Sequence, residues 1–205
     1  MVVDVMSKLR QMSFVKNDSF GNFLKSCLNS TLNISEQIEC LHLVQDSYIE
    51  QSLKECERMK RSDGTHGLEI IDMSSETPVP VVPEKFWSSE ENKRKIQLLF
   101  CDIVRDEVYR NQTIITSSVI IDGEVKSARY SSGEEIPELM NYIEEADSKI
   151  IVHLEWAIRI KHCARVIVLS NDTDVFTLLL QYTSHLKELG LKELWQQYGT
   201  GEKGA

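Results

Sequence analysis

The stretch Val166-Ile167-Val168-Leu169-Ser170-Asn171-Asp172-Thr173-Asp174 places two aspartates directly after an apolar strand, and a helical pattern over residues 175–182 follows them. A second acidic cluster, Glu144-Glu145-Ala146-Asp147, begins the long helical pattern that leads into this strand. A helix between parallel strands returns the chain to the same edge of the sheet. We therefore predict that the two acidic clusters meet at one edge of a parallel sheet.

Strand-like and helix-like patterns alternate along the chain, which predicts an α/β fold, a three-layer α/β/α sandwich with a mostly parallel central sheet. The predicted strands cover residues 2–6, 38–44, 68–73, 164–170 and 193–198. The predicted helices cover residues 20–32, 48–61, 88–109, 136–163 and 175–182. Asp122-Gly123 lies between two β-rich runs, 114–121 and 124–130, and predicts an inserted β-hairpin.

We expect these elements to form one domain over residues 1–205. Within it, residues 74–135 are expected to be a less regular insertion that contains a proline-rich loop at 74–83, a helix and the hairpin. The tail, residues 186–205, is interpreted as truncated.

The composition is that of a globular protein, with 41% hydrophobic and 27% charged residues. No apolar run approaches the roughly 20 residues that span a bilayer, so we expect no membrane insertion. The five cysteines share no CxxC spacing, which favours reduced thiols in an intracellular protein, nuclear or cytoplasmic, over disulfides or a zinc site. The net charge of −9 argues against a general nucleic-acid binder, although a site built from carboxylates would account for much of it.

Two more aspartates are placed at the ends of predicted strands. Asp4 lies in or just after the first strand, and Asp46 lies at the carboxyl end of the second. Ligands of open parallel sheets bind outside the carboxyl ends of the strands, so these residues are expected to join the two acidic clusters. Crowded carboxylates need a cation among them, and hard oxygen ligands suit Mg²⁺ or Mn²⁺. The predicted catalytic and metal-binding residues, for two ions, are Asp4, Asp46, Glu145, Asp147, Asp172 and Asp174.

Each acidic motif also has a simpler interpretation. Asp172 and Asp174 could cap the helix that follows them, because aspartate is a preferred capping residue. Glu144, Glu145 and Asp147 could form a solvated helix face, and Asp46 could be a turn residue. The chain would then be an α/β domain whose acids only cap helices. The joint order and spacing of all the motifs favours the metal site.

These motifs resemble those of the PIN-like nucleases, in particular the flap-endonuclease or 5′-nuclease branch. That family has an aspartate on its first strand, V-x-D at the end of the second, E-A-[DE] at a helix start and [ST]-x-D-x-D after a later strand. Here the corresponding sequences are Val2-Val3-Asp4, Val44-Gln45-Asp46, Glu145-Ala146-Asp147 and Ser170-Asn171-Asp172-Thr173-Asp174. The resemblance implies a PIN-like fold and two-metal hydrolysis of phosphodiester bonds in DNA or RNA. A catalytically inactive PIN-like scaffold that binds protein or nucleic acid is the alternative.

A basic cluster follows Asp46 directly. Lys54, Arg58 and Arg61 fall on one face of the predicted 48–61 helix. The resembling nucleases place basic residues after this aspartate, where they contact substrate phosphates, so the same role is expected here. Lys93-Arg94-Lys95 is a second basic candidate, and a solvated helix face is the simpler interpretation of either cluster.

Overall fold

The centre of the fold is a six-stranded sheet in which every neighbouring pair is parallel except one. The computed structural model describes residues 1–34, 38–47, 69–106, 113–121, 124–126, 129–130 and 132–198. Its strands are β1 (Val2–Asp4), β2 (Cys40–Val44), β3 (Thr113–Thr116), β4 (Val119–Ile121), β5 (Glu124–Lys126), β6 (Arg129–Tyr130), β7 (Arg165–Leu169) and β8 (Glu193–Gln197). The sheet order is β6-β3-β2-β1-β7-β8, and only β3 and β6 pair antiparallel, while β4 and β5 form a separate antiparallel hairpin.

Helices pack on both faces of this sheet, because alternate residues of a strand point to opposite sides. Val3 of β1 belongs to a core that contains Phe20 and Phe100, whereas Val2 belongs to a second core that contains Ile150 and Leu179. The helices are α1 (Val5–Gln11), α2 (Phe20–Ile34), α3 (Pro83–Trp87), α4 (Glu90–Asp106), α5 (Ala146–Lys161) and α6 (Thr173–Glu188), with a 3₁₀ turn at Pro137–Leu139. The observed α/β architecture is consistent with the predicted three layers. None of the helices in the described ranges has both the length and the hydropathy that crossing a bilayer requires.

The strand order reverses at β1, which places a topological switch point there. β1 pairs with β2 on one side and with β7 on the other, and the chain reaches β7 only after it has built β2 and β3. Open α/β sheets bind their ligands in the crevice beside such a point, at the carboxyl ends of the strands. Asp4 ends β1, and Asp46 and Asp172 follow β2 and β7 closely.

Several predicted elements are confirmed with small shifts. The predictions for residues 20–32, 38–44, 164–170 and 193–198 correspond to α2, β2, β7 and β8, and the helix predicted at 175–182 is α6, which is longer at both ends. β1 is shorter than predicted because the Asp4 carboxylate accepts a hydrogen bond from the Ser7 backbone N–H and starts α1. The predicted helix 48–61 lies outside the described residues, and the part of 68–73 that is described, residues 69–73, contains no strand.

The long helix predicted over residues 136–163 is wrong in its first third. Only Pro137–Leu139 turns, in 3₁₀ form, and the chain then runs extended until α5 begins at Ala146. Asn141 explains the interruption, because its side chain donates to the Leu139 carbonyl and accepts from the Ile143 N–H. Asparagine side chains that bond to nearby backbone compete with the helix in this way. The acidic cluster therefore lies at a helix N-terminus rather than inside a helix.

The hairpin prediction is correct for one part and wrong for the other. Val119–Ile121 pairs antiparallel with Glu124–Lys126, as expected for a turn at Asp122-Gly123. The preceding residues, Thr113–Thr116, instead pair parallel with β2 in the central sheet. The break falls at Ser117, whose hydroxyl accepts a hydrogen bond from the buried Gln45 N–H. The proline-rich loop also packs more closely than expected for a surface loop, because Val79 is buried and its N–H donates to the Asp18 carbonyl.

Two buried histidines join β2 to α5. The Nδ1 atoms of His42 and His153 lie 2.8 Å apart, so one donates and the other accepts. Burial, and then the neighbouring His153, lowers the pKa of His42 well below its usual value. Burial, with Lys149 nearby, lowers the pKa of His153 to about 3. Both rings are therefore neutral in the fold near pH 7.

This pair should make the protein sensitive to acid. Below pH 6.5, His153 is protonated in the unfolded chain but stays neutral in the folded protein. The stability of the fold therefore falls as the pH drops from 6.5 towards about 3. The loss for His153 is about 1.4 kcal/mol per pH unit. Urea unfolding at pH 7.5 and 5.5 should therefore show a larger drop for the wild type than for His153→Gln, by about 1.4 kcal/mol. Equal drops in the two proteins would contradict the assignment of neutral rings.

Candidate metal-binding active site

All of the predicted metal ligands line a single pocket, which we call the acid pocket, with a volume of about 480 Å³. Four separate segments of the chain bring carboxylates to it: the end of β1, the turn after β2, the start of α5 and the turn that leads from β7 into α6. The carboxylates are those of Asp4, Asp46, Glu145, Asp147, Asp172 and Asp174. The sequence-based prediction that these residues approach one another is therefore confirmed.

Three of these aspartates also cap helices that begin at the acid pocket. Asp4 caps α1 by accepting from the Ser7 N–H at 2.9 Å, and Asp172 caps α6 by accepting from the Asp174 N–H at 2.8 Å. Asp46 accepts from the N–H of Ala146, the first residue of α5, at 2.9 Å. The capping interpretation of Asp172 is thus correct as well. Because each cap uses one carboxylate oxygen, it does not exclude metal binding by the same residue.

The convergence of helix N-termini gives the acid pocket a mixed electrostatic character. A helix N-terminus carries roughly half a positive charge from its unpaired backbone N–H groups. α1, α5 and α6 all begin beside the pocket, and each of them has a carboxylate at its first turn or cap. The backbone therefore offsets part of the repulsion among the acids.

Asp4 is the most buried of these carboxylates. It is 8% exposed, its Oδ1 accepts from Ser7 and its Oδ2 accepts from the Ser170 hydroxyl at 3.1 Å. Burial, together with the charges of Asp46 and Asp172, raises the pKa of Asp4 to about 6 despite these two hydrogen bonds. A carboxylate held in this state gains from a nearby cation.

A buried lysine lies beneath the acid pocket and holds the turn that presents Asp46. Lys149 of α5 is fully buried, and its ammonium donates to the Gln45 carbonyl, the Ser47 hydroxyl and the Ser118 carbonyl at 2.7–2.9 Å. Two of these acceptors belong to the residues on either side of Asp46. Burial lowers the pKa of Lys149 to about 8, and the nearby Asp46 charge opposes that shift.

The role of Lys149 was missed by the sequence analysis, although the chain contains a signal for it. Lys149 lies on the buried stripe of α5, which also contains Ala146, Ile150 and His153. A lysine on an apolar stripe is rarely buried unless its ammonium has partners. Sequence spacing alone does not identify those partners, because they lie in the segments that follow β2 and β3.

The donor set of the acid pocket fits magnesium or manganese better than zinc. Its acidic side chains offer oxygen only, and the described residues that line it include neither histidine nor cysteine. As the side chains stand, however, no group of three or more histidine, cysteine, aspartate or glutamate residues in the described ranges is arranged to hold a metal ion. Binding would therefore require the carboxylates to rotate towards the ion. Rotation about side-chain bonds is a small change compared with assembling the pocket.

The basic residues of the prediction are only partly placed. Lys54, Arg58 and Arg61 lie outside the described residues. Of the second cluster, Lys93 lines the acid pocket and donates to Glu90 at 2.7 Å, while Arg94 pairs with Glu91.

Arg10 of α1 also lines the acid pocket, which the sequence analysis did not foresee. It is exposed and lies two turns after Asp4, so it extends over the pocket from the α1 side.

No protein-family model matches this chain, and no curated protein and no solved structure matches it either.

Proposed function

We propose that this protein is a divalent-metal-dependent nuclease with a PIN-like three-layer fold, of the flap-endonuclease or 5′-nuclease type. One observation carries the proposal: six carboxylates from four distant segments line one pocket at the carboxyl ends of neighbouring parallel strands. Crowded carboxylates cost free energy, so the convergence of six of them from four segments favours a functional role beyond helix capping. Burial first, and then the charges of Asp46 and Asp172, raises the pKa of Asp4 to about 6.

The residues divide the work between holding metal and holding substrate. Two bound Mg²⁺ or Mn²⁺ ions would activate water and stabilise the leaving oxygen of a phosphodiester. Asp4 and Asp46 would hold such ions from the floor of the acid pocket, and Asp172 and Asp174 would do so from its exposed side. Arg10 would bind a phosphate next to the one that is cut, since it is exposed at the rim of the pocket.

The charge of the whole chain is compatible with a nucleic-acid substrate. The net charge of −9 includes the six carboxylates of the acid pocket, and bound divalent ions would cancel much of their charge. DNA and RNA both fit this chemistry.

Cleavage assays test the proposal directly. Single-stranded and flapped DNA and RNA oligonucleotides with Mn²⁺ should be cut by the wild type, and Asp172→Asn should lower the rate at least a hundredfold. Asparagine keeps the hydrogen bond to Asp174, so loss of the α6 cap would not explain the result. Asp72→Asn, at an exposed position away from the acid pocket, should cut at the wild-type rate. Equal rates in wild type and Asp172→Asn would remove the nuclease proposal.

The alternative is a catalytically inactive PIN-like scaffold that binds protein or nucleic acid. It is favoured by the fact that the acidic side chains in the described ranges do not already form a metal-binding group. A scaffold would show no change in melting temperature on addition of Mn²⁺, whereas the nuclease should be stabilised by the ion.

A further inference from the structure

A second pocket lies at the same edge of the sheet, beyond β2, and has a volume of about 390 Å³. It lies between the C-terminal half of α4, the carboxyl end of β3 and the strands β5 and β6. Its walls are apolar at Leu98, Val104 and Val119. We call it the basic pocket, because three cationic side chains line it: Arg105, Lys126 and Arg129.

The charge of the basic pocket is opposite to that of the acid pocket. Among the described residues that line it, Asp102 is the single carboxylate. Lys126 and Arg129 pair with Glu124 and Glu135 at 3.0 and 3.1 Å, and neither of those glutamates lines the pocket. Glu124 and Glu135 therefore neutralise Lys126 and Arg129 from outside the pocket, and the pocket wall itself carries more cations than carboxylates.

The cations of the basic pocket can exchange their present partners for a ligand. Arg105 is 54% exposed and pairs with Asp102, while Lys126 and Arg129 are 50% and 47% exposed in their own pairs. Exposed ion pairs of this kind contribute little to stability. A phosphate can therefore replace the carboxylates without a large loss of folding free energy.

The two pockets are neighbours across a single turn of chain. Gln45 donates from its N–H to the Ser117 hydroxyl at 3.0 Å and from its side chain to the Cys101 sulfur at 3.4 Å. Ser117 and Cys101 line the basic pocket. Asp46, which follows Gln45 in the chain, lines the acid pocket. A nucleic-acid strand that leaves the acid pocket past Asp46 would therefore reach the basic pocket next.

We propose that the basic pocket binds a nucleotide of the substrate strand next to the cleavage position, with its phosphate held by Arg105, Lys126 and Arg129. This inference rests on the proposed nuclease function. The volume suits one small ligand, and Tyr130, which lines the pocket, offers a ring on which a base can stack. Single-stranded nucleic acid is favoured over an acidic peptide, because a regularly charged strand can occupy both neighbouring pockets at once.

Binding measured without metal separates this inference from the nuclease proposal. Fluorescence anisotropy of a labelled single-stranded oligonucleotide in EDTA should show a Kd at least about tenfold higher for the double variant Lys126→Glu, Arg129→Glu than for the wild type, with a shallower salt dependence. The matched control is Lys187→Glu, Lys192→Glu, which changes the net charge equally at exposed positions outside both pockets. It should leave Kd within about twofold of the wild type.

The outcomes are distinct. Equal Kd values for the two double variants, or no binding by the wild type up to roughly 100 µM, would overturn the inference. If the first double variant does not fold, Arg105→Gln with Lys126→Gln replaces it, and an unchanged Kd would again overturn the inference. In cleavage assays the basic-pocket variants should raise KM and leave kcat unchanged. Absence of cleavage by the wild type, with Kd still dependent on the basic pocket, would refute the nuclease proposal alone.

Discussion

Lys149→Met is expected to lower the free energy of unfolding by about 1–2 kcal/mol at pH 7, although it replaces a charge in the core with an apolar side chain of similar length. The three acceptors that Lys149 serves are the Gln45 carbonyl, the Ser47 hydroxyl and the Ser118 carbonyl. Gln45, Ser47 and Ser118 are themselves buried, so water does not readily replace the ammonium. The substitution leaves buried acceptors without their donor.

Two opposing effects determine the size of this change. Burial lowers the pKa of Lys149 from 10.5 to about 8. This shift means that the charged ammonium destabilises the fold by roughly 3 kcal/mol, and methionine removes that destabilisation. Each unsatisfied buried acceptor costs roughly 1–3 kcal/mol, and the Gln45 and Ser118 carbonyls are two of them, whereas the Ser47 hydroxyl still accepts from the Ile120 N–H at 3.1 Å. The loss therefore exceeds the gain.

Urea unfolding at pH 7 measures the result. Lys161→Met is the matched control, because Lys161 ends the same helix but is exposed, and its ammonium lies over the rings of Tyr130 and Trp156 at 5.3 and 5.5 Å. Its expected cost is about 1 kcal/mol or less. A Lys149→Met protein as stable as the wild type would show that the Asp46 turn does not depend on the ammonium.

Asp4→Asn is expected to have the opposite effect, raising the stability of the metal-free protein by about 3 kcal/mol at pH 7.5. Burial first, and then Asp46 and Asp172, raises the pKa of Asp4 from 3.8 to about 6. The folded state then holds a proton that the unfolded state releases, so this part of the stability is present below about pH 4 and is lost as the pH rises through 6. Asparagine avoids the loss and can still accept from the Ser7 N–H.

The pH dependence and the metal response distinguish this explanation from a simple packing gain. The stability difference between Asp4→Asn and the wild type should vanish near pH 4 and reach its full value above pH 7. Mn²⁺ should raise the melting temperature of the wild type and have much less effect on Asp4→Asn. Asp72→Asn, at an exposed position, should match the wild type in both measurements. A stability gain that is the same at pH 4 and pH 7.5 would refute the electrostatic explanation.

The acid pocket was predictable from sequence because its residues follow from strand geometry. Asp4, Asp46 and Asp172 each come at the carboxyl end of an apolar strand, and parallel strands align those ends along one edge. The order of the strands was not needed for this prediction. Local patterns also located β2 and β7, since each is a short apolar run that turn residues follow or precede.

What the sequence did not reveal depends on contacts between distant segments. The β3 strand looked like one arm of a hairpin, because a β-rich run does not show that Ser117 will bond to Gln45 and divide it. The partners of Lys149 come from residues 31 to 104 positions away. The basic pocket is similar, since α4, β3 and β6 contribute to it and no local motif marks their approach.

The three caps have a consequence for how loss of activity is interpreted in mutagenesis. Alanine at position 4, 46 or 172 would delete a candidate ligand and at the same time leave the first turn of α1, α5 or α6 without its acceptor, at about 1 kcal/mol each. An inactive alanine variant would therefore confound chemistry with fraying of the scaffold. The amide isostere separates the two, because it preserves the architecture and withdraws only the anion.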